Sequence, residues 1–305
     1  MLNFDRLRLL HKLSVLGSVS AVAEAVHLSR PAVSKQLALL HDEVEVELVQ
    51  RSGRGIQLTP AGVQLAARAG ELMELFESIE SDLAAARLEV IGEFRIGSFS
   101  SLASSVIPLA IRELQKAHPR LNILVTELEP LEGLRAAASK QMDMAIVDDT
   151  VGTEASGNTL EFHPLCADNS EAVVSSKHRL ANRSFIQIAE LANERWAMSQ
   201  AVGSFPYRAL IAKACTAAGF TPNVTASASL PVALEMVRSA GVIAVLPRLA
   251  LRHVENDPDF RVIPVEPPIQ RHALIAVLRG GMKRPAIAAV SKALINVAET
   301  LAATR

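Results

Sequence analysis

Apolar positions in the first sixty residues recur at three- and four-residue steps and are broken by capping residues. Leu7, Leu10, Leu13 and Leu16 give one apolar face to a helix over 3–16. Ser18 is an N-cap residue for a second helix carrying Val22, Ala23 and Val26 on one side. His27-Leu28 leaves room only for a tight turn. Ser29 then caps a third helix with Pro31 in its first turn, and Val33, Leu37 and Leu40 face inward. This leaves Arg30, Ala32, Ser34 and Lys35 on the outer face near the helix start. Small, polar and cationic side chains at that end of an exposed helix suit entry into a DNA major groove. The segment 51–58, Arg-Ser-Gly-Arg-Gly-Ile-Gln-Leu, fits a hairpin with a basic tip. Its arginines, Arg51 and Arg54, are placed to reach phosphates or the minor groove.

Thr59-Pro60 opens a longer helix, expected to run to about Leu88, with Leu65, Leu72, Leu75, Phe76, Ile79 and Leu83 as its stripe. At 1.5 Å per residue it spans about 40 Å and cannot bury that stripe alone. A partner helix from a second subunit is the natural cover. From Gly92 the texture changes to alternating strands and helices. Strands are expected at 94–97, 121–127 and 142–147, with helices between them, as a parallel sheet with right-handed crossovers. A second unit follows, with strands at 172–175, 196–199, 224–228 and 242–246 and helices at 186–191, 207–218 and 230–240. A strand at 274–278 and an amphipathic helix at 284–302 close the chain.

The chain has 305 residues, half of them hydrophobic, which supports two or three packed units and argues against long disorder. Net charge is −1, so overall charge gives no basic signal, and DNA contact must rest on locally placed Arg and Lys. Cys166 and Cys215 are too few for a disulfide scaffold and fit buried thiols in a reducing cytosol, with a redox sensor as the sharper alternative. The N-terminus has no signal-peptide pattern, and no apolar run looks long and uncharged enough to span a bilayer, so a cytoplasmic location is expected. Eight His residues are scattered, without metal-ligand spacing or a catalytic pairing. Gly53-Arg-Gly55 lies in a hairpin rather than between a strand and a helix, so no phosphate loop is present. Asp148-Asp149, at a strand end, is expected to be a solvated turn. Neither a cofactor nor a metal is expected, nor is the chain expected to be an enzyme.

Gly17-Ser18, Ser29 through Ser34 and Arg51 through Thr59 fall in order and without a gap on the pattern of one family. The chain resembles the LysR-type transcriptional regulators. Three departures stand out: Arg30 where the family usually has Gln, His41-Asp42 where it has two acidic residues, and Glu45 where it has Gly. The second half resembles the family's effector domain more loosely, through Gly92-x-Phe-Arg-Ile-Gly97, Asp143-Met-Ala-Ile-Val147, Val237-x-x-Ala-Gly241 and Val245-Leu-Pro247.

The resemblance implies an α/β chain: an N-terminal winged helix-turn-helix (1–58), a linker dimerisation helix (59–91) and a two-lobed α/β effector domain resembling periplasmic solute-binding proteins (92–305). Lobe 1 would hold about 92–165 and 271–305, and lobe 2 about 166–270, with crossings near Pro164–Ala167 and Val265–Arg271. Ser18, Ser29, Arg30, Pro31, Ala32, Ser34, Lys35, Arg51 and Arg54 form the expected DNA-binding set. The expected effector set begins with Ser98, Phe99, Ser100 and Ser101, at the C-terminal end of the first strand, where ligands of open α/β sheets gather. Ser199, Gln200, Gly203 and Ser204 should face them across the cleft, with Ser227 and Ser229 as weaker candidates and Phe99 and Phe205 as apolar walls. Serine hydroxyls and helix N–H groups there suit a polar or anionic metabolite. The implied protein is a homodimer or homotetramer that binds a pseudo-palindromic duplex under control of that effector. The competing reading is a solute-binding module whose N-terminal helices serve only assembly; an enzyme ranks third.

Overall fold

The computed structural model describes residues 2–52, 55–87, 90–151, 159–199 and 205–303. Helix α1 (Phe4–Leu16) starts where the Asn3 side chain accepts from the Arg6 N–H at 3.2 Å. Helices α2 (Val19–Ala25) and α3 (Arg30–Val44) start the same way, Ser18 accepting from Ala21 N at 3.2 Å and Ser29 from Ala32 N at 3.3 Å. Each cap satisfies one of the orphan donors of a helix start. Helix α3 ends on Glu45, whose φ of +54° lies in the left-handed region. The family's usual glycine adopts that conformation without the Cβ strain that Glu45 carries.

Strands β1 (Val49–Ser52) and β2 (Gly55–Leu58) form the antiparallel wing, and helix α4 (Pro60–Arg87) leaves it. Thr59 locks the junction: its hydroxyl donates to the Glu47 carbonyl at 2.6 Å and accepts from Gly62 N at 3.0 Å. A Cβ on Gly62 would overlap the Leu48 carbonyl, so the helix start can press this closely on the wing only with glycine there. Leu10, Leu13, Val22, Val33, Leu37 and Leu40 are all buried in one small core, which Ala66, Ala69 and Met73 of α4 complete.

The second half carries strand β3 (Gly92–Ser98), helix α5 (Ser100–Ala117), strand β4 (Leu121–Glu127), helix α6 (Pro130–Ala138) and strand β5 (Met144–Asp148). β3 lies parallel between β4 and β5, as the βαβαβ pattern requires. Then come β6 (Leu160–Ser175), β7 (Ile186–Gln187), β8 (Arg195–Ser199), helix α7 (Phe205–Ala217), β9 (Asn223–Ala228), helix α8 (Leu230–Ala240), β10 (Ala244–Pro247), β11 (Phe260–Leu278) and helix α9 (Pro285–Ala303). One sheet, ordered β10-β6-β11-β5-β3-β4 with β7 beside β11, runs through both lobes; β8 and β9 pair in parallel and bridge to it through Trp196 and Ile243.

Several expectations change here. The strands expected at 172–175 and 274–278 are only the apolar ends of β6 and β11, long antiparallel partners that cross between the lobes. Their middles read as loop because Asp168, Asn169, Gln270, Arg271 and prolines 264, 267 and 268 break the apolar alternation. The second unit is therefore mixed rather than parallel, β10 running antiparallel to β6. The helix expected at 186–191 is the short strand β7 followed by a 3₁₀ turn, Ile188–Leu191. The segment 285–302 of α9 is long and apolar enough, by length and composition, to cross a membrane, contrary to the sequence reading. In the fold its Ile287, Val290, Leu294 and Val297 are buried against α5 and the lobe 1 sheet.

Candidate functional site

Two surfaces carry chemistry. On the first, the start of α3, the burial pattern turns Val33, Leu37 and Leu40 inward and leaves Ser29, Arg30, Pro31, Ser34 and Lys35 exposed, with Ala32 half-buried. Arg30 and Lys35 form no ion pair among the described residues, so both cations are available to a partner. Ser18 and Ser29 spend their hydroxyls on helix caps, which anchor the starts of α2 and α3. Arg51 has its backbone in β1; its side chain and all of Arg54 lie outside the described residues.

The second surface is a cavity of about 170 Å³ between the lobes. Lobe 1 lines it with Phe99, Ser100, Ser101, Glu127, Glu129, Pro130, Asp148 and Thr150. Tyr207, Ala228, Ser229, Leu230, Ala233, Leu246, Pro247 and Ala250 come from the facing lobe, and Arg271 from the crossing strand β11 forms the floor. Strand ends β3, β4 and β5 and the first turns of α5 and α6 supply the lobe 1 groups, as the carboxyl-end rule for open sheets anticipates.

Arg271 organises the floor. Its Nε and Nη2 donate to Asp168 Oδ2 at 3.3 and 2.9 Å, its Nη1 to Asp148 Oδ2 at 3.2 Å, and its Nη2 also to the Ser101 hydroxyl at 2.5 Å. The guanidinium lies 4.5 Å from the Phe99 ring centre and 5.2 Å from that of Tyr207, within cation–π range. Asp168 sits directly opposite Arg271 in the β6–β11 ladder and also accepts from Leu249 N at 3.1 Å. Burial works against the charge on Arg271, but Asp168, Tyr207 and Asp148 outweigh it and hold its pKa above the ordinary value. Burial pushes the Tyr207 phenol well up, so it stays a neutral partner for Ser170, 3.0 Å away.

Among the expected effector residues, Phe99, Ser100 and Ser101 line the cavity, and so does Ser229. Ser98 is fully buried and its hydroxyl donates to the Phe99 carbonyl at 3.2 Å, outside the lining. Ser227 accepts from Arg208 at 3.5 Å and is also outside it. Gln200, Gly203, Ser204 and the side chains of Ser199 and Phe205 lie outside the described residues.

The solvated Asp148-Asp149 turn is corrected: Asp149 does bind His272 at the surface, its carboxylate 2.8 Å from Nδ1, but Asp148 is only 1% exposed and paired with Arg271. Asp168, Arg271, Glu127, Glu129 and Tyr207 were not singled out from the sequence. A buried Asp–Arg pair in mid-strand has no local signature.

Cys166 is half-buried and Cys215 buried; burial raises both thiols to about 11, which disfavours the reactive thiolate near neutral pH. No group of three or more His, Cys, Asp or Glu able to hold a metal occurs among the described residues.

A winged helix-turn-helix joined by a long helix to a two-lobed domain with a cavity between the lobes defines a ligand-responsive DNA-binding regulator. The family model for the bacterial regulatory helix-turn-helix protein of the lysR family matches residues 4–63, and that for the LysR substrate binding domain matches residues 88–299. The chain belongs to the LysR family of DNA-binding transcriptional regulators. It is 24% identical to the uncharacterized HTH-type transcriptional regulator YvbU of Bacillus subtilis over 98% of this chain and 99% of the relative. It is 29% identical to CysL of the same organism over 57% of each chain. Among solved structures, full-length OxyR from Pseudomonas aeruginosa aligns over 96% of this chain and 95% of its own, with a TM-score of 0.71 at 20% identity. Full-length CbnR complexed with its target DNA aligns over 97% of this chain and all of its own, with a TM-score of 0.58 at 17% identity.

Proposed function

We propose that this regulator binds a pseudo-palindromic operator as a homodimer or homotetramer in the cytoplasm, and that a small molecule in the cleft alters that binding. The three units are the reading head to residue 58, the linker helix to 91 and the effector domain beyond it. The observation that carries this reading is the start of α3, where Arg30, Pro31, Ser34 and Lys35 stand exposed on a rigidly capped helix. The CbnR neighbour is known in complex with its target DNA, which supports a DNA-binding reading of this fold.

Assembly is argued from α4. Leu72, Leu75, Phe76 and Ile79 are 47%, 60%, 48% and 50% exposed, an apolar stripe along one face of a helix about 40 Å long. Pairing two such helices places two reading heads on one duplex. Coupling to the cleft is argued from α1: the Lys12 ammonium donates to the Ser139 carbonyl at the end of α6, and Val15 packs against the cluster to which Leu134, Ala137 and Ala138 of α6 belong. Helix α6 starts at Glu129 and Pro130, which line the cavity, so one rigid element touches both the ligand space and the reading head.

The test is Leu72→Glu, read by light scattering and by gel shift on the DNA upstream of the gene. The variant should become monomeric and lose operator affinity together, by at least about a hundredfold, because each head alone reads only a half-site. A monomer with undiminished operator affinity would overturn the reading.

A further inference from the structure

We infer that the cleft takes an organic cation, a small molecule whose protonated amine is held at Glu127 and Glu129 and whose neutral hydrogen-bond acceptor is held at Ser101 and Arg271. This rests on the cleft being the effector site. The serine-rich turn by itself suggests an anion, yet the charges around it point the other way.

Three carboxylates, Glu127, Glu129 and Asp148, line the cavity, and Arg271 is the one cation among the described lining residues. That guanidinium is already matched by two carboxylates, Asp148 and Asp168, both almost fully buried. An anionic ligand would be a third negative group on a cation with no charge left to compensate, next to two more carboxylates. Of the neighbouring arginines, Arg248 is paired with Glu171 and Glu255, and Arg208, which donates to the Ser227 hydroxyl at 3.5 Å, does not line the cavity.

The floor asks for an acceptor. Of the five N–H groups of Arg271, four are used, on Asp168 twice, Asp148 and Ser101, leaving one Nη1 hydrogen without an acceptor among the described residues. Arg271 and Ser101 are each 5% exposed and line the cavity. The Ser101 hydroxyl accepts from Arg271, so its own hydrogen is free to donate. Two donors therefore meet at the floor, and a carbonyl or amide oxygen satisfies them without adding charge. Phe99, Leu230, Ala233, Leu246 and Pro247 give the middle of the cavity an apolar wall.

The mouth asks for a cation. Glu127 is exposed and forms no hydrogen bond or ion pair among the described residues, and Glu129 is half-buried beside it. Burial first, and then repulsion from Glu132, Glu127 and Asp148, raises the Glu129 pKa above the usual carboxylate range. An ammonium group seated there relieves that repulsion and gains charge-assisted hydrogen bonds.

The full-length protein is to be titrated calorimetrically with three molecules of similar length: γ-aminobutyramide, a cation with a neutral amide; γ-aminobutyrate, a zwitterion; and glutaramate, an anion with the same amide. The cation should bind tightest and glutaramate weakest. Glu127→Gln, at an exposed position, and Glu129→Gln should each weaken the cation by about tenfold, the scale of one charge-assisted hydrogen bond, with unchanged melting in the absence of ligand for Glu127→Gln. Equal or tighter binding of glutaramate, no saturable binding of the cation, or indifference of the cation to both substitutions overturns the inference. Gel shifts with the same molecules separate this from the regulator reading. Glutaramate altering operator binding would leave that reading standing and sink the cation. Cation binding that leaves operator affinity unchanged would do the reverse.

Discussion

The reading head and the cleft floor solve opposite problems with the same polar residue types. In the head, Ser18 and Ser29 bond to N–H groups three residues on, and Arg30 and Lys35 are exposed and form no ion pair among the described residues. At the floor, Arg271 reaches Asp168, Asp148 and Ser101, which are 103, 123 and 170 positions away in the chain. The head leaves the two cations at the start of α3, Arg30 and Lys35, free of ion pairs among the described residues and takes its shape there from local caps. In the cleft, buried charges are spent on one another, and the site exists only once distant strands are paired. A charge lost from the head should therefore cost recognition, whereas a charge lost from the floor should cost the fold.

The sharpest test of that difference is Arg271→Leu. It leaves Asp148 and Asp168 buried without their cation, which should destabilise the effector domain by about 3–5 kcal/mol in chemical denaturation. A loss under about 1 kcal/mol would mean that water reaches the floor and the contrast with the head is false. Next in size is Arg30→Gln, where stability should stay put and recognition should change. Arg suits the two acceptors of guanine and Gln suits adenine, so the variant should relax one guanine preference per half-site by about 1–3 kcal/mol across a randomised operator library. A uniform loss over all sequences would instead assign Arg30 to a phosphate.

Glu45→Gly tests the head's local logic. It removes Cβ strain at a φ of +54°, so thermal melting should show a gain of up to about 1 kcal/mol with operator affinity unchanged. No gain would show that the Glu45 side chain compensates the strain elsewhere. Where the two regions meet, the test is a pH dependence. Burial lowers the Lys12 pKa from 10.5 to about 8. Between those values the folded chain binds fewer protons than the unfolded one, so this residue's contribution to stability rises with pH across that window and is flat below it. Wild-type protein should gain stability relative to Lys12→Met between pH 8 and 10.5; parallel curves would place Lys12 in solvent.

What the sequence disclosed follows the same division. Caps, the turn at His27-Leu28 and the inward spacing of Val33, Leu37 and Leu40 are local, and the head is built from them as anticipated. The Ser98–Ser101 turn was visible for the same reason, as a strand end that opens a helix. Arg271 was not, because its neighbours in sequence, Gln270 and His272, are polar, and the stretch lacks the alternation that marks a strand. Its meaning comes from Asp168 across the ladder, and that pairing depends on register, which no short window contains. Asp148 was misjudged on similar grounds: adjacent to Asp149, it suggested a solvated turn, whereas β5 runs through Asp148 and the turn begins only at Asp149.

The long ladder of β6 and β11 has a mechanical consequence. The two strands are 16 and 19 residues long and carry the chain across both lobes in antiparallel pairing, so sliding one lobe along the other would break hydrogen bonds all along the ribbon. Rotation about the ribbon's long axis strains far fewer of them. The ribbon thus behaves as a torsion bar, stiff in shear and compliant in twist. Its ladder is interrupted between Pro264 and Ile269 and again between Ala273 and Leu274, and Arg271 stands between the two weak points. A molecule gripping Arg271 at one end and Glu129 at the other would hold the bar at a set angle, and helix α6, pressed on Val15, would carry that angle to the heads as a rotation.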